Sequence, residues 1–197
     1  MNFLAHLYLS GTNPEVRVGN FMGDFVKGQN FSAFSSDIIK GIKLHRTIDD
    51  FTDSHAVVAR SKNRIKHKYR HYSGVIIDIF YDHFLAFNWE KYSENSLNAF
   101  ADDCYALVED HIDVLPGRAR KVFPYMVQNN WLVGYASLSG IKSTLHGMAR
   151  RTPFESNMEH SIHDLEENYH DFQEDFFDFF PDIIKHTSQF LKNKQNS

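Results

Sequence analysis

The sequence predicts an all-α protein, a single-domain bundle of about seven to nine helices. Apolar residues recur at helical spacing through most of the chain. No Asn-Gly or Asp-Gly turn separates alternating apolar runs. Cap signals such as Asn13-Pro14 stand ahead of periodic segments. The 197 residues suffice for one sizeable core, and no repeat, low-complexity tract or Gly/Ser linker divides them. One domain over residues 1–197 is therefore expected, with a frayed tail at 192–197.

Asn13 and Pro14 open the first capped helix. Asp37-Ile38-Ile39-Lys40 leads into Ile42, Leu44, Ile48 and Phe51, a helix running to about Asp53. Val58, Ile65, Tyr69 and Tyr72 put an apolar stripe under a basic helix. Gly74 separates it from Val75–Trp89, apolar on most faces and so expected at the centre. Ser96 starts a helix bearing Leu97, Phe100, Leu107 and Ile112, closed by Pro116-Gly117. Arg118 to Asn130, with Pro124 as a kink, Ser137 to Arg151 and Phe154 to Phe180 complete the set, and Pro181 interrupts.

Composition narrows the class. Cys104 is the single cysteine, which excludes an intrachain disulfide and fits a reducing compartment. No apolar run reaches membrane-spanning length, and Met1–Leu9 has no basic n-region and contains a histidine. A cytoplasmic location is expected, with no membrane and no nucleic-acid module. Net charge is −4 but lopsided: Arg60, Lys62, Arg64, Lys66, Lys68 and Arg70 fall in an acid-free stretch, whereas the C-terminal third is acidic. Such a stretch suits an anionic partner; a solvated helix face gives the same pattern.

The chemistry concentrates in two patterns. His45, Asp49 and Asp53 follow at spacing four, so a helix stacks them on one face. Asp78, Asp82 and His83 lie in the most apolar segment, where a buried carboxylate needs a cation, a proton or several donors. Asp24 sits among Phe21, Met22, Phe25 and Val26, and His6 in another apolar run. Imidazole with carboxylate suits Mn²⁺, Fe²⁺ or Mg²⁺ better than a thiolate zinc site. The plainer readings are a surface ion-pair row for His45–Asp53, a capping role for Asp24 and a satisfied core histidine for His6. Arg150 and Arg151 either present guanidinium groups to a phosphate or end a basic helix. P-loop, dinucleotide, nucleophile-elbow and zinc-finger patterns are absent.

Taken in order, these residues resemble the acyl carrier protein phosphodiesterase family. The resemblance rests on Met1–Leu7, Gly19-Asn20 through Asp24-Phe25-Val26 with Gly28, and Gly41-Ile42 through His45-Arg46, Ile48-Asp49 and Thr52-Asp53. It continues in Asp82-His83-Phe84-Leu85, Trp89, Trp131-Leu132-Val133, Gly147-Met148-Ala149 and the acidic, aromatic C-terminus; 95–130 match loosely. It implies a fold related to HD-type phosphohydrolases, although the usual His-Asp dipeptide is reversed as Asp82-His83. It also implies Mn²⁺-dependent hydrolysis of holo-acyl carrier protein to apo-protein and 4′-phosphopantetheine. On that basis Asp24, His45, Asp49, Asp82 and His83 are the expected metal ligands, with Asp53 and Asp78 behind them. His6 is expected as ligand or acid, and Arg46 with Arg150 or Arg151 as phosphate clamps. Lys62, Lys66 and Arg70 belong to the expected docking face for the acidic carrier. Alternatives are an HD-like hydrolase of small phosphodiesters and a metal-free helical adaptor.

Overall fold

Side-chain oxygens set the helix starts. Asn13, Ser35, Ser96 and Ser137 each accept the backbone N–H three residues on, opening α2 (Pro14–Phe21), α3 (Ser36–Ser54), α6 (Leu97–Asp110) and α9 (Leu138–Ala149). His55 plays a similar part for α4 (Ala56–Tyr69). The computed structural model describes residues 1–29 and 31–193. The remaining helices are α1 (Phe3–Tyr8), α5 (Ser73–Phe87), α7 (Gly117–Gln128), α8 (Trp131–Gly134), α10 (Ser161–Glu167) and α11 (Tyr169–Lys192). The described residues contain no strand. The chain is all-α, and leaving out the short α1 and α8 gives nine helices among the described residues, within the expected range.

α5 runs through the centre, with Ile76, Ile77, Ile79, Phe80 and Tyr81 fully buried. α11 covers it with Phe172, Phe176, Phe179, Phe180 and Ile183. Edge-to-face and tilted ring pairs such as Phe80–Phe172 at 5.2 Å and Tyr81–Phe179 at 5.4 Å fill the seam. α2 and α3 approach backbone to backbone: a Cβ on Gly19 would lie 2.1 Å from the Ile38 carbonyl oxygen, and one on Gly41 2.1 Å from that of Val16. That contact brings the end of α2 against the middle of α3, where the site forms.

Three expected boundaries move. Gly74 lies inside the first turn of α5 and separates nothing. Residues 154–157 are irregular, and the helix expected from Phe154 begins only at α10. α11 passes through Pro181 to Lys192, because the buried apolar face runs unbroken across the proline and outweighs one lost backbone bond. The expected frayed tail thus loses Lys192 to α11, and 194–197 lie outside the described residues.

The charge asymmetry is spent largely inside the chain. Asp175, 1% exposed, accepts from Arg60 Nε at 2.5 Å, from Ser61 Oγ at 2.6 Å and from Arg64. Arg60 also reaches Asp178, and Lys68 reaches Asp164 at 2.5 Å. Half of the basic stretch therefore staples α4 to α10 and α11, which corrects the view of it as one docking surface. No helix among the described residues is long and apolar enough to cross a membrane.

Candidate metal centre

Four elements converge on two imidazole rings. α1 supplies His6, α2 supplies Asn20, the short turn at Gly23–Phe25 supplies Asp24, and α3 supplies His45 and Asp49. The rings of His6 and His45 stack with centroids 4.0 Å apart and 16° between planes, both residues buried. Gly23 lets the turn cross the His45 ring, since a Cβ there would fall 2.2 Å from ring carbon Cγ.

Asn20 fixes the tautomer of both rings. Its Nδ2 donates to the His6 carbonyl at 2.8 Å and to Ser10 Oγ at 2.9 Å, so its Oδ1 must face His6 Nδ1 at 2.9 Å and accept from it. Its backbone carbonyl accepts from His45 Nδ1 at 2.9 Å. With both Nδ1 protons committed, each Nε2 is left to face oxygen. His6 Nε2 lies 3.2 Å from Asp49 Oδ1 and from the Met1 carbonyl oxygen; His45 Nε2 lies 3.2 Å from Asp49 Oδ2 and from Asp24 Oδ1. Lone pairs of nitrogen and oxygen so close together need a cation between them, either a proton or a metal.

The protonation states agree with this arrangement. Burial, reinforced by the charge of His45, pushes His6 down to about 4, so it is neutral near pH 7 with a bare Nε2. Burial opposes charge on His45, but Asp24 and Asp49 outweigh it and raise the group to about 9. Burial would raise Asp49, yet the two histidines hold it far below the usual carboxylate range, and the bond to His45 lowers Asp24. A proton thus occupies the His45 position when no metal competes. The ligand atoms of His6, His45 and Asp49 lie close enough together to hold a single metal ion. Two neutral-capable imidazoles, their orientation fixed by Asn20, and an ionised carboxylate suit a divalent ion.

Two hollows flank the cluster. A cavity of about 430 Å³ lies between α9 and α8, with Asn2, Phe3, Asp24, Trp131, Met148 and Arg151 among its walls. A smaller one of about 250 Å³ is acidic, lined by Asp49, Asp53 and Asp78. Both border Asn2, Asp24 and Met148.

Comparison with known proteins adds the family. The family model described as acyl carrier protein phosphodiesterase matches residues 1–183. The chain belongs to the acyl carrier protein phosphodiesterase family. A relative of that name from Photorhabdus laumondii is 37% identical over 166 residues, covering 84% of each chain. Relatives from Yersinia enterocolitica and Pectobacterium atrosepticum, with the same name, are 34% and 32% identical over 84% of this chain and 86% of their own. No solved structure matches.

Within this family member, the expected site residues divide. Asp24, His45 and Asp49 come together as expected, and His6 joins them. Its only ring proton faces Asn20, so at neutral pH it has none to give a leaving group, and the expectation of His6 as an acid is corrected. Asp82 and His83 are engaged elsewhere. Asp82, fully buried, accepts the backbone N–H groups of Leu4 at 2.8 Å, Asn2 at 3.2 Å and Ala5 at 3.3 Å, and so caps α1. Burial pushes it up to about 7 against those amides. His83 spends its ring nitrogens on the Tyr135 carbonyl, to which Nδ1 donates at 2.7 Å, and on the Tyr169 hydroxyl at 2.9 Å.

The remaining residues spread around the centre. Asp78 faces the Met1 nitrogen at 3.1 Å, and Asp53 pairs with Lys62 at 3.0 Å. Arg46 donates to the Gly28 carbonyl at 2.6 Å and lies over Phe31, tying down the loop after Asp24 instead of reaching for a phosphate. Arg150 opens onto a separate surface hollow with Glu155 and Glu159, which removes it from the clamp. Arg151 faces the larger cavity and stacks over Trp131 at 5.4 Å. Lys66 lines a groove with Lys62 and Asp53, and Arg70 caps α4 with φ of 51°. Asn20 escaped the sequence reading as a functional residue; its one sequence signal was its place in the Gly19–Val26 run.

Proposed function

We propose that this protein is a divalent-metal-dependent phosphodiesterase that hydrolyses holo-acyl carrier protein to apo-acyl carrier protein and 4′-phosphopantetheine. The observation that carries this reading is the convergence of the His6 and His45 Nε2 atoms on Asp49, beside a cavity bearing Arg151, in a chain of this family. His6, His45 and Asp49 would hold the ion, with Asp24 beside them; Mn²⁺ is the favoured metal, with Mg²⁺ or Fe²⁺ as substitutes. A bound ion would neutralise the diester's non-bridging oxygens and lower the pKa of a water.

The chain's own residues do the rest. Asn20 holds both rings in the ligating tautomer. Asp24, two-thirds exposed at the mouth of the cavity, accepts a hydrogen bond from the attacking water and aims it. Arg151, held on Trp131, offers its guanidinium to the phosphate. The water oxygen bonds to phosphorus as one of its protons passes to Asp24, the bond from phosphorus to the serine oxygen breaks, and that proton is returned to the departing oxygen, which leaves as the serine hydroxyl. Lys62, Lys66 and Arg70, along the side of α4 turned from α11, steer the acidic carrier toward the site. A cytoplasmic setting goes with that substrate. Intact-mass analysis of holo-acyl carrier protein incubated with the protein and Mn²⁺, or with chelator, tests the reaction: metal-dependent loss of the prosthetic-group mass is expected, and no loss with folded, metal-loaded protein rejects it.

A further inference from the structure

The larger cavity has a character of its own. One face of α9 lines it through Gly140, Ser143, Thr144, Gly147 and Met148, a stripe at helical spacing. The opposite wall carries Trp131 and Phe3. Two of its hydroxyls have already spent their protons, and Asn129 one of its two: Ser143 Oγ donates to the Ser139 carbonyl at 3.0 Å, Thr144 Oγ1 to that of Gly140 at 3.0 Å, and Asn129 Nδ2 to that of Tyr125 at 2.8 Å. Ser143 and Thr144 therefore offer oxygen acceptors, and Asn129 an acceptor with one further N–H, set among apolar rings and a methionine. A pure hydrocarbon would leave those acceptors dry and unpaired, at a cost. A slender chain with both methylene groups and amide N–H donors would satisfy them.

Charge chooses between the two hollows. Asp24 borders both hollows; the cations beside the smaller, Lys62 and the Met1 nitrogen, are already paired with Asp53 and Asp78, whereas the larger adds the guanidinium of Arg151 for an anionic diester. Its volume of about 430 Å³ falls within the usual small-molecule range of roughly 300–1,000 Å³.

We propose that this cavity is the subsite for the non-reacting arm of the prosthetic group, a slender chain with two methyl branches and a hydroxyl near its phosphate end and two secondary amides beyond, whose hydroxyl and two N–H groups supply three donors to the oxygens of Ser143, Thr144 and Asn129. The inference rests on the proposed reaction and adds where the arm lies and what reads it. Gly134 makes it testable. It lines the cavity, and a Cβ there would meet nothing within 4 Å, so a larger side chain starts from open space at the cavity wall.

Binding of pantetheine, which has the arm but no phosphate, is followed by the fluorescence of Trp131 in metal-free protein. Saturable binding by the native chain, lost in Gly134→Leu, is expected; Trp131→Phe identifies which of the two tryptophans reports. In parallel, the ratio of kcat/KM on holo-acyl carrier protein to kcat/KM on bis(4-nitrophenyl) phosphate should fall about tenfold or more in Gly134→Leu, because only the first substrate uses the arm. A melting curve confirms that the variant is folded. No saturable binding, binding kept by folded Gly134→Leu, or an unchanged ratio overturns the assignment. Native protein that binds pantetheine yet leaves holo-acyl carrier protein intact overturns the reaction and not the arm subsite.

Discussion

Replacing Asn20 by alanine isolates the device that makes His6 a ligand. The substitution removes the bond from His6 Nδ1 to Oδ1 at 2.9 Å and the two Nδ2 bonds to the His6 carbonyl and Ser10 Oγ at 2.8 and 2.9 Å. It spares the backbone carbonyl that orients His45. At about 1 kcal/mol for each buried bond, the loss is about 3 kcal/mol. For a chain of this size that lowers the melting temperature by roughly 6–12 °C. The His6 ring, no longer held in one tautomer, should bind Mn²⁺ about 10- to 100-fold more weakly. Differential scanning calorimetry with chelator reads the first effect, and titration calorimetry with Mn²⁺ below the new melting temperature reads the second. A folded variant that binds Mn²⁺ as the native protein does would refute the argument that Asn20 sets the ligating tautomer.

Other perturbations follow from the same geometry. His45 is raised from 6.5 to about 9, so its proton stabilises the metal-free fold fully below pH 6.5, and that contribution is lost as pH rises through 9. His6, lowered to about 4, works oppositely and destabilises the fold as pH falls from 6.5 through 4. Because a metal must displace the His45 proton, Mn²⁺ affinity should climb about tenfold per pH unit toward pH 9 and then level off; a flat profile contradicts the assignment. Asp82→Asn turns an NH₂ toward amides that need an acceptor and should cost about 2–3 kcal/mol by urea denaturation, while Mn²⁺ affinity in the folded protein stays within about tenfold. Loss of metal binding beyond that would restore Asp82 as a ligand. Arg60→Ala with Arg64→Ala strands buried Asp175 and should cost about 3–5 kcal/mol without raising KM for holo-acyl carrier protein. Glutamate at Lys62, Lys66 and Arg70 should do the reverse, raising KM most at low salt, and an unchanged KM rejects the docking role.

The helical class was legible because capping oxygens and apolar periodicity act locally: Asn13 and Ser96 sit where the structure uses them. Pro181 was misleading because a local rule about a missing N–H was overruled by the apolar face of α11, which only tertiary packing reveals. The i,i+4 pair His45 and Asp49 was legible from one helix, and α3 carries both into the centre. Asp82 shows where such reading stops. Its burial was foreseeable from its neighbours, and so was its need for a partner, but sequence cannot tell a cation from the amides of another helix. The lopsided charge had the same ambiguity, since an attraction between α4 and α11 looks in one dimension like an unmet attraction to a partner.

The most direct test of the central claim sets native protein beside His45→Ala, both shown folded by circular dichroism, with holo-acyl carrier protein, Mn²⁺ and mass detection of the carrier. The native protein should release the prosthetic group and the variant should not, and chelator should make the two alike. Conversion by metal-free native protein, or equal conversion by His45→Ala, would contradict a reaction carried out at the His6, His45 and Asp49 centre.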